Sequence, residues 1–104
     1  MKETPREKEI VNAIMKRLQA LGPGVCIVRK RHGTSFGVAG DSDLYGIIRT
    51  KIVETRHFEI EVKRPGERPT LLQSMRLDDW KRAGAITGVA TSVAEALAIL
   101  GIPE

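Results

Sequence analysis

The run Phe58-Glu59-Ile60-Glu61-Val62-Lys63 alternates apolar and charged residues without a break, and no other segment restricts the fold as tightly. On a strand, successive side chains point to opposite faces, so Phe58, Ile60 and Val62 belong to a core. Glu59, Glu61 and Lys63 then project together from the other face. The rest of the chain builds around this strand. Thr4-Pro5-Arg6-Glu7 reads as a helix start, with Thr4 as cap, Pro5 in the first turn and Glu7 closing a capping box. Ile10, Val11, Ile14, Met15, Leu18 and Leu21 recur at helical spacing until Gly22-Pro23-Gly24 ends the element. Val25 to Arg31 reads as a strand, His32 to Ser42 as a loop of Gly and small residues, and Leu44 to Arg49 as a short strand. Beyond a loop at Arg64 to Pro69, Thr70-Leu71-Leu72-Gln73 is a second capping-box pattern opening a helix to about Ala83. Ala85 to Ala90 fits a buried strand, and Ser92-Val93-Ala94-Glu95 caps a last helix to about Leu100. The order α-β-β-β-α-β-α, without repeat or linker, predicts one mixed α/β domain over residues 1–104.

Composition narrows the function classes. With 41% hydrophobic residues among 104, the chain has enough apolar material for a core, which excludes wholesale disorder. The longest apolar run, Ala96 to Leu100, is far too short for a membrane-spanning helix, and no basic-then-apolar leader stands at the start. A cytoplasmic protein without a membrane partner is the expectation, in the host's cytoplasm if the chain is phage-encoded. The lone Cys26 reads as a small core residue; it has no partner for an internal disulfide, and with two histidines it cannot form a zinc finger. Four aromatic residues are too few for a platform that stacks successive bases. The net charge is +4, unevenly spread: residues 1–40 hold eight Lys/Arg against three acids, whereas residues 41–63 hold four against five. A basic first third beside an acidic middle suits a protein that attracts a polyanion and holds a cation near it, and equally suits an ordinary charged surface.

Three residues carry the chemistry. Glu61 and Lys63 share a strand face, which by itself is equally a solvated face with an ion pair. Asp43 follows Gly40-Asp41-Ser42 at the start of the preceding strand, a place where an acid commonly serves a turn. If the two strands pair as a hairpin around residues 50–55, Asp43 comes near Glu61 and Lys63. Two carboxylates then supply hard oxygen ligands for Mg²⁺ or Mn²⁺ while leaving positions for water and phosphate. Such an ion polarises a phosphoryl group and acidifies its bound water, and a neighbouring lysine orients that water and offsets developing charge. Arg29, Lys30 and Arg31, followed by His32, end the first strand, and Arg64 and Arg68 flank the loop after Lys63. Each suits a DNA phosphate contact or a solvated edge. His32 and His57 read as surface or strand-end residues.

Ser42-Asp43-Leu44, Phe58 to Gly66 and Thr70-Leu71-Leu72-Gln73 together resemble the PD-(D/E)XK nuclease superfamily, and within it the virus-type replication-repair nuclease group, VRR-NUC. The resemblance runs from Glu7 to the final helix, because element order agrees too. One departure is Ser42, where the superfamily pattern has proline, a position that shapes backbone and holds no ligand. The resemblance implies a restriction-endonuclease-like fold and hydrolysis of DNA to 5′-phosphate ends. It implies Asp43 and Glu61 as metal ligands joined by the Val62 carbonyl, Lys63 orienting the attacking water, and Glu7 and Gln73 in support. Glu7 lies mid-stripe on the first helix, so either a metal site or the helix dipole accounts for it. Gln73 likewise serves a capping box, the site, or both. Stand-alone members of the group are similar to Holliday-junction resolvases acting as homodimers, so branched DNA is the implied partner, with no nucleotide cofactor. Leu71, Leu72, Met75, Leu77, Trp80 and Ala83 form an unusually wide apolar arc on their helix, wide enough to meet a second subunit as well as the sheet. The alternatives are a flap or other branched-DNA nuclease, a non-catalytic DNA-binding module of the same fold, or a structural subunit of a larger assembly.

Overall fold

The computed structural model describes residues 4–32, 37–50 and 54–104. Its elements follow the order α1 (Glu7–Gln19), β1 (Cys26–Lys30), β2 (Leu44–Arg49), β3 (Thr55–Val62), α2 (Leu71–Arg82), β4 (Ile86–Ala90) and α3 (Val93–Leu100). The four strands lie side by side in sequence order, β1-β2-β3-β4. β1/β2 and β2/β3 are antiparallel, and β3/β4 is parallel, with α2 making the crossover. This is the mixed α/β sheet and element order that the sequence predicts.

The alternation of β3 sorts the two faces. Phe58, Ile60 and Val62 are fully buried among Ile10, Ile14, Leu18 and α3 residues Ala96, Leu97 and Leu100. Burying each large aliphatic of this set stabilises the fold by about 1.5–3 kcal/mol. Cys26 is buried in the same cluster and carries a free thiol. Gly46, opposite Val28 on β1 and Phe58 on β3, is required by close approach. A Cβ there would press on the Ile27 carbonyl and stand 3.0 Å from the Phe58 ring.

The other face of β3 is covered too. Trp80 of α2 stacks near His57, ring centroids 4.9 Å apart, and Glu59 and Glu61 are buried at 0% and 2% exposure. The solvated-face reading of these carboxylates is thereby excluded.

The starts of α1 and β3 differ from the sequence reading. The first helix begins at Glu7, with Arg6 in the cap position and no side-chain cap, so Thr4 does not cap it. Instead, Arg64 Nε donates to the Pro5 carbonyl at 3.2 Å and a terminal nitrogen reaches the Thr4 carbonyl at 3.5 Å. That long-range clamp holds the segment extended. β3 starts at Thr55 because its polar first residues pair along β2, Arg49 with Thr55 and Ile48 with Arg56. The turn expected at 50–55 includes residues 51–53, outside the described ones; Thr50 N–H donates to the Glu54 carbonyl across it at 2.8 Å. Among the described residues no helix is long and apolar enough to cross a membrane.

Candidate active site

The hairpin register brings the predicted carboxylates together. Leu44 pairs with Ile60, so Asp43, one residue before β2, faces the Glu61–Val62 end of β3. The Val62 backbone N–H donates to Asp43 Oδ2 at 2.8 Å. The Glu61 carboxyl lies within hydrogen-bonding reach of Asp43, and its pKa is pushed up to about 9. Burial is the main cause, followed by the hydrogen bond and negative charge of Asp43, with Lys63 opposing and Glu7 adding. Glu7, half-buried on the first turn of α1, is also raised, first by burial and then by Asp43, against the pull of Lys63. Four predicted residues, Glu7, Asp43, Glu61 and Lys63, therefore share one electrostatic environment.

Glu61 is the residue out of balance. Its Oε2 is buried and receives no hydrogen bond among the described residues. A carboxylate so placed beside another needs a proton or a cation. No three His, Cys, Asp or Glu side chains among the described residues close into a finished cage. The donor set is instead a carboxylate pair with open coordination, which fits a hard divalent cation that retains water and phosphate.

Two solved structures have the same architecture. One, described as a VRR_NUC domain protein, is 20% identical with a TM-score of 0.71, covering 95% of this chain and 88% of that chain. The other, described as a VRR_NUC domain, is 23% identical with a TM-score of 0.69, covering 91% of this chain and 94% of that one. This chain has the VRR_NUC fold. No family model matches the sequence, and no curated protein matches it.

Within the VRR_NUC fold the other predicted site residues separate. Gln73 completes the α2 capping box: its Oε1 accepts from Thr70 N at 2.9 Å and its own N–H donates to Thr70 Oγ1 at 3.1 Å. Arg64 is spent on the Pro5 and Thr4 carbonyls, 4.0 Å from Glu67, and so docks the start of α1 beside Lys63. Arg29 is exposed on β1 and donates to its neighbour's carbonyl, Val28, at 3.0 Å. Lys30 is half-buried at the end of β1 opposite Leu44, and Arg68 is exposed in the loop after β3.

Arg31 does not stand free in solvent. Its guanidinium forks onto Glu59 at 2.5 and 3.0 Å and lies 4.4 Å over the Tyr45 ring. Burial works against its charge, but the Glu59 hydrogen bonds and charge outweigh this and raise its pKa above the usual arginine value. Around the pair, Ser42 Oγ lies 2.7 Å from Glu59 Oε1, and His57 Nε2 contacts Glu59 Oε2. Trp80 Nε1 donates to Asp41 Oδ1 at 3.2 Å, and Arg76 Nε donates to the Ala39 carbonyl at 3.1 Å. Gly40, at φ 84°, allows the loop to lie on α2, where a Cβ would fall 2.6 Å from Leu72 Cγ. The sequence reading missed this polar layer. Its one trace is Glu59 itself, an acid on the strand face that α2, with its tryptophan, covers.

Proposed function

We propose that this chain is a structure-selective DNA endonuclease that depends on Mg²⁺ or Mn²⁺ and cuts branched DNA, foremost four-way junctions, as a homodimer. The observation that carries the reading is the buried Glu61 oxygen, unpartnered among the described residues, beside Asp43 and Lys63. Asp43 and Glu61, with the Val62 carbonyl, would hold the cation, and Glu7 adds negative charge to the same spot. An ion bound there supplies a Lewis acid for the phosphate and an acidified water. The chain's own groups do the rest. Lys63 Nζ orients the attacking water and offsets negative charge that grows on the phosphate. Arg29, Lys30 and Arg68 suit phosphate contacts that set register without reading sequence. The Val62 N–H holds Asp43 Oδ2, so one carboxylate oxygen is already oriented before substrate arrives. The described fold of two VRR_NUC structures supports the nuclease class.

A panel of duplex, flap, fork and four-way junction DNA, incubated with Mg²⁺ or Mn²⁺ and with chelator, tests the reading. Metal-dependent cuts in junctions leaving 5′-phosphates are expected. Preferential cutting of flaps would replace the junction assignment. DNA binding without cleavage of any member would leave a binding module of this fold.

A further inference from the structure

Asp43 is the site residue with the least secondary structure of its own, since it precedes β2 and follows a loop. Its backbone is nevertheless held on both sides by one residue. Arg31 Nη1 donates to the Ser42 carbonyl at 3.0 Å, on the peptide entering Asp43. The Arg31 main-chain N–H donates to the Asp43 carbonyl at 2.8 Å, on the peptide leaving it. The Val62 N–H to Oδ2 bond completes the fixation. With both flanking peptides and the side chain anchored, the Asp43 carboxylate has little freedom to turn away from Glu61.

Arg31 is itself locked from behind. Glu59 is fully buried, and a buried carboxylate is tolerated only when paired and hydrogen-bonded. It receives the Arg31 fork, the Ser42 hydroxyl contact and His57. Ser42, 1% exposed, lies within hydrogen-bonding distance of Arg31 Nη1 at 3.0 Å and the Leu44 carbonyl at 3.1 Å. Proline at this position would offer neither contact, so the departure from the superfamily pattern has a local use. Nη1 reaches both Glu59 Oε1 and the Ser42 carbonyl while Nη2 takes Glu59 Oε2; a lysine ammonium, one bond shorter and a single point charge, cannot hold both carboxylate oxygens and that carbonyl at once.

We propose that Arg31 is a positioning residue for Asp43, locked by Glu59 and Ser42, and not a DNA phosphate contact. The proposal rests on the reading of Asp43 and Glu61 as the metal pair. Arg31→Lys separates the two roles because it keeps the charge and loses the fork. The direct readout is the Val62 amide proton in the metal-free protein, followed by ¹H–¹⁵N NMR with Asp43→Ala marking the position of an unbonded amide. In Arg31→Lys the Val62 signal is expected to move toward the Asp43→Ala position, while Arg29→Ala leaves it in place. Ser42→Ala, which deletes only the hydroxyl link, moves it the same way by less and serves if Arg31→Lys fails to fold. Calorimetry is expected to show Mn²⁺ binding weakened by about 10–100-fold in Arg31→Lys, as for losses of groups that orient metal ligands. DNA affinity without metal stays near wild type. A Val62 amide unmoved in the folded variants overturns the proposal. If wild-type protein takes up no Mn²⁺, the metal reading fails, and the amide shift still decides whether Arg31 positions Asp43.

Discussion

At Glu61 a buried carboxyl can be neutralised by a proton or by a cation, and the two compete. Its folded pKa of about 9 stands above the ordinary 4.5, chiefly because of burial and then because of Asp43. Between those values the metal-free folded chain binds a proton that the unfolded chain releases. The stabilising contribution is full below about 4.5 and is lost as pH rises through about 9. Thermal melts in chelator should therefore show wild-type protein losing Tm relative to Glu61→Gln as pH climbs through this window; parallel pH profiles would refute the assignment. Because a cation requires the ionised form, Mn²⁺ uptake near neutrality should release about one proton per site. Calorimetry in buffers of different ionisation enthalpy measures that release. Lys63 shares the same environment, and the proposed function gives it a different duty. Lys63→Ala is expected to reduce turnover by about 10²–10³-fold, the usual cost of one group that stabilises transition-state charge. Its DNA affinity by fluorescence anisotropy should change little. A loss of affinity equal to the loss of turnover would make Lys63 a phosphate anchor.

Among the elements, β2 carries the tightest packing constraint. Gly46 lies where β1 and Phe58 leave no room for a methyl group, so Gly46→Ala must push β1 or the ring aside. Overpacking of this kind costs about 1–3 kcal/mol, which urea unfolding would detect as a lower midpoint at unchanged slope. An unchanged midpoint would mean that the β1–β2 contact is looser than the register requires. The same elements explain how far the sequence can be read. The periodicity of α1 and β3 and the caps at Thr70 and Ser92 are local signals, and all four elements form where those signals lie. The approach of Asp43 to Glu61 was readable because antiparallel register converts a hairpin into a distance. The start of α1 was not, because the clamp that sets it comes from Arg64, 59 residues from Pro5. Nor was the burial of Glu59, whose partner Arg31 lies 28 residues away and whose cover comes from α2. Gln73 shows the converse: its capping role, one of the alternatives the local pattern offered, is read at four-residue range, and the structure realises it.

For the whole molecule, the apolar arc of α2 divides into two parts. Leu77 is buried and Trp80 half-buried against the chain's own sheet, while Leu71 and Met75 remain 78% and 52% exposed. In a two-fold dimer that exposed part would meet its copy and present one site to each of two strands of a symmetric junction. Light scattering should give a dimer. Mixing wild-type and Glu61→Gln chains should yield heterodimers that nick one strand without completing resolution; a strict monomer with full junction cutting would sink the dimer. The claim beneath all of this is that Asp43 and Glu61 hold the ion that cuts DNA. Cleavage of a four-way junction by Asp43→Asn and Glu61→Gln in Mg²⁺ or Mn²⁺, beside binding of the same DNA without metal, tests it most directly. Cleavage should fall by orders of magnitude in both variants while metal-free binding persists in Glu61→Gln, whose carboxyl already carries a proton, and persists or tightens in Asp43→Asn, which removes a negative charge facing phosphate. Either variant cutting at the wild-type rate would contradict the account.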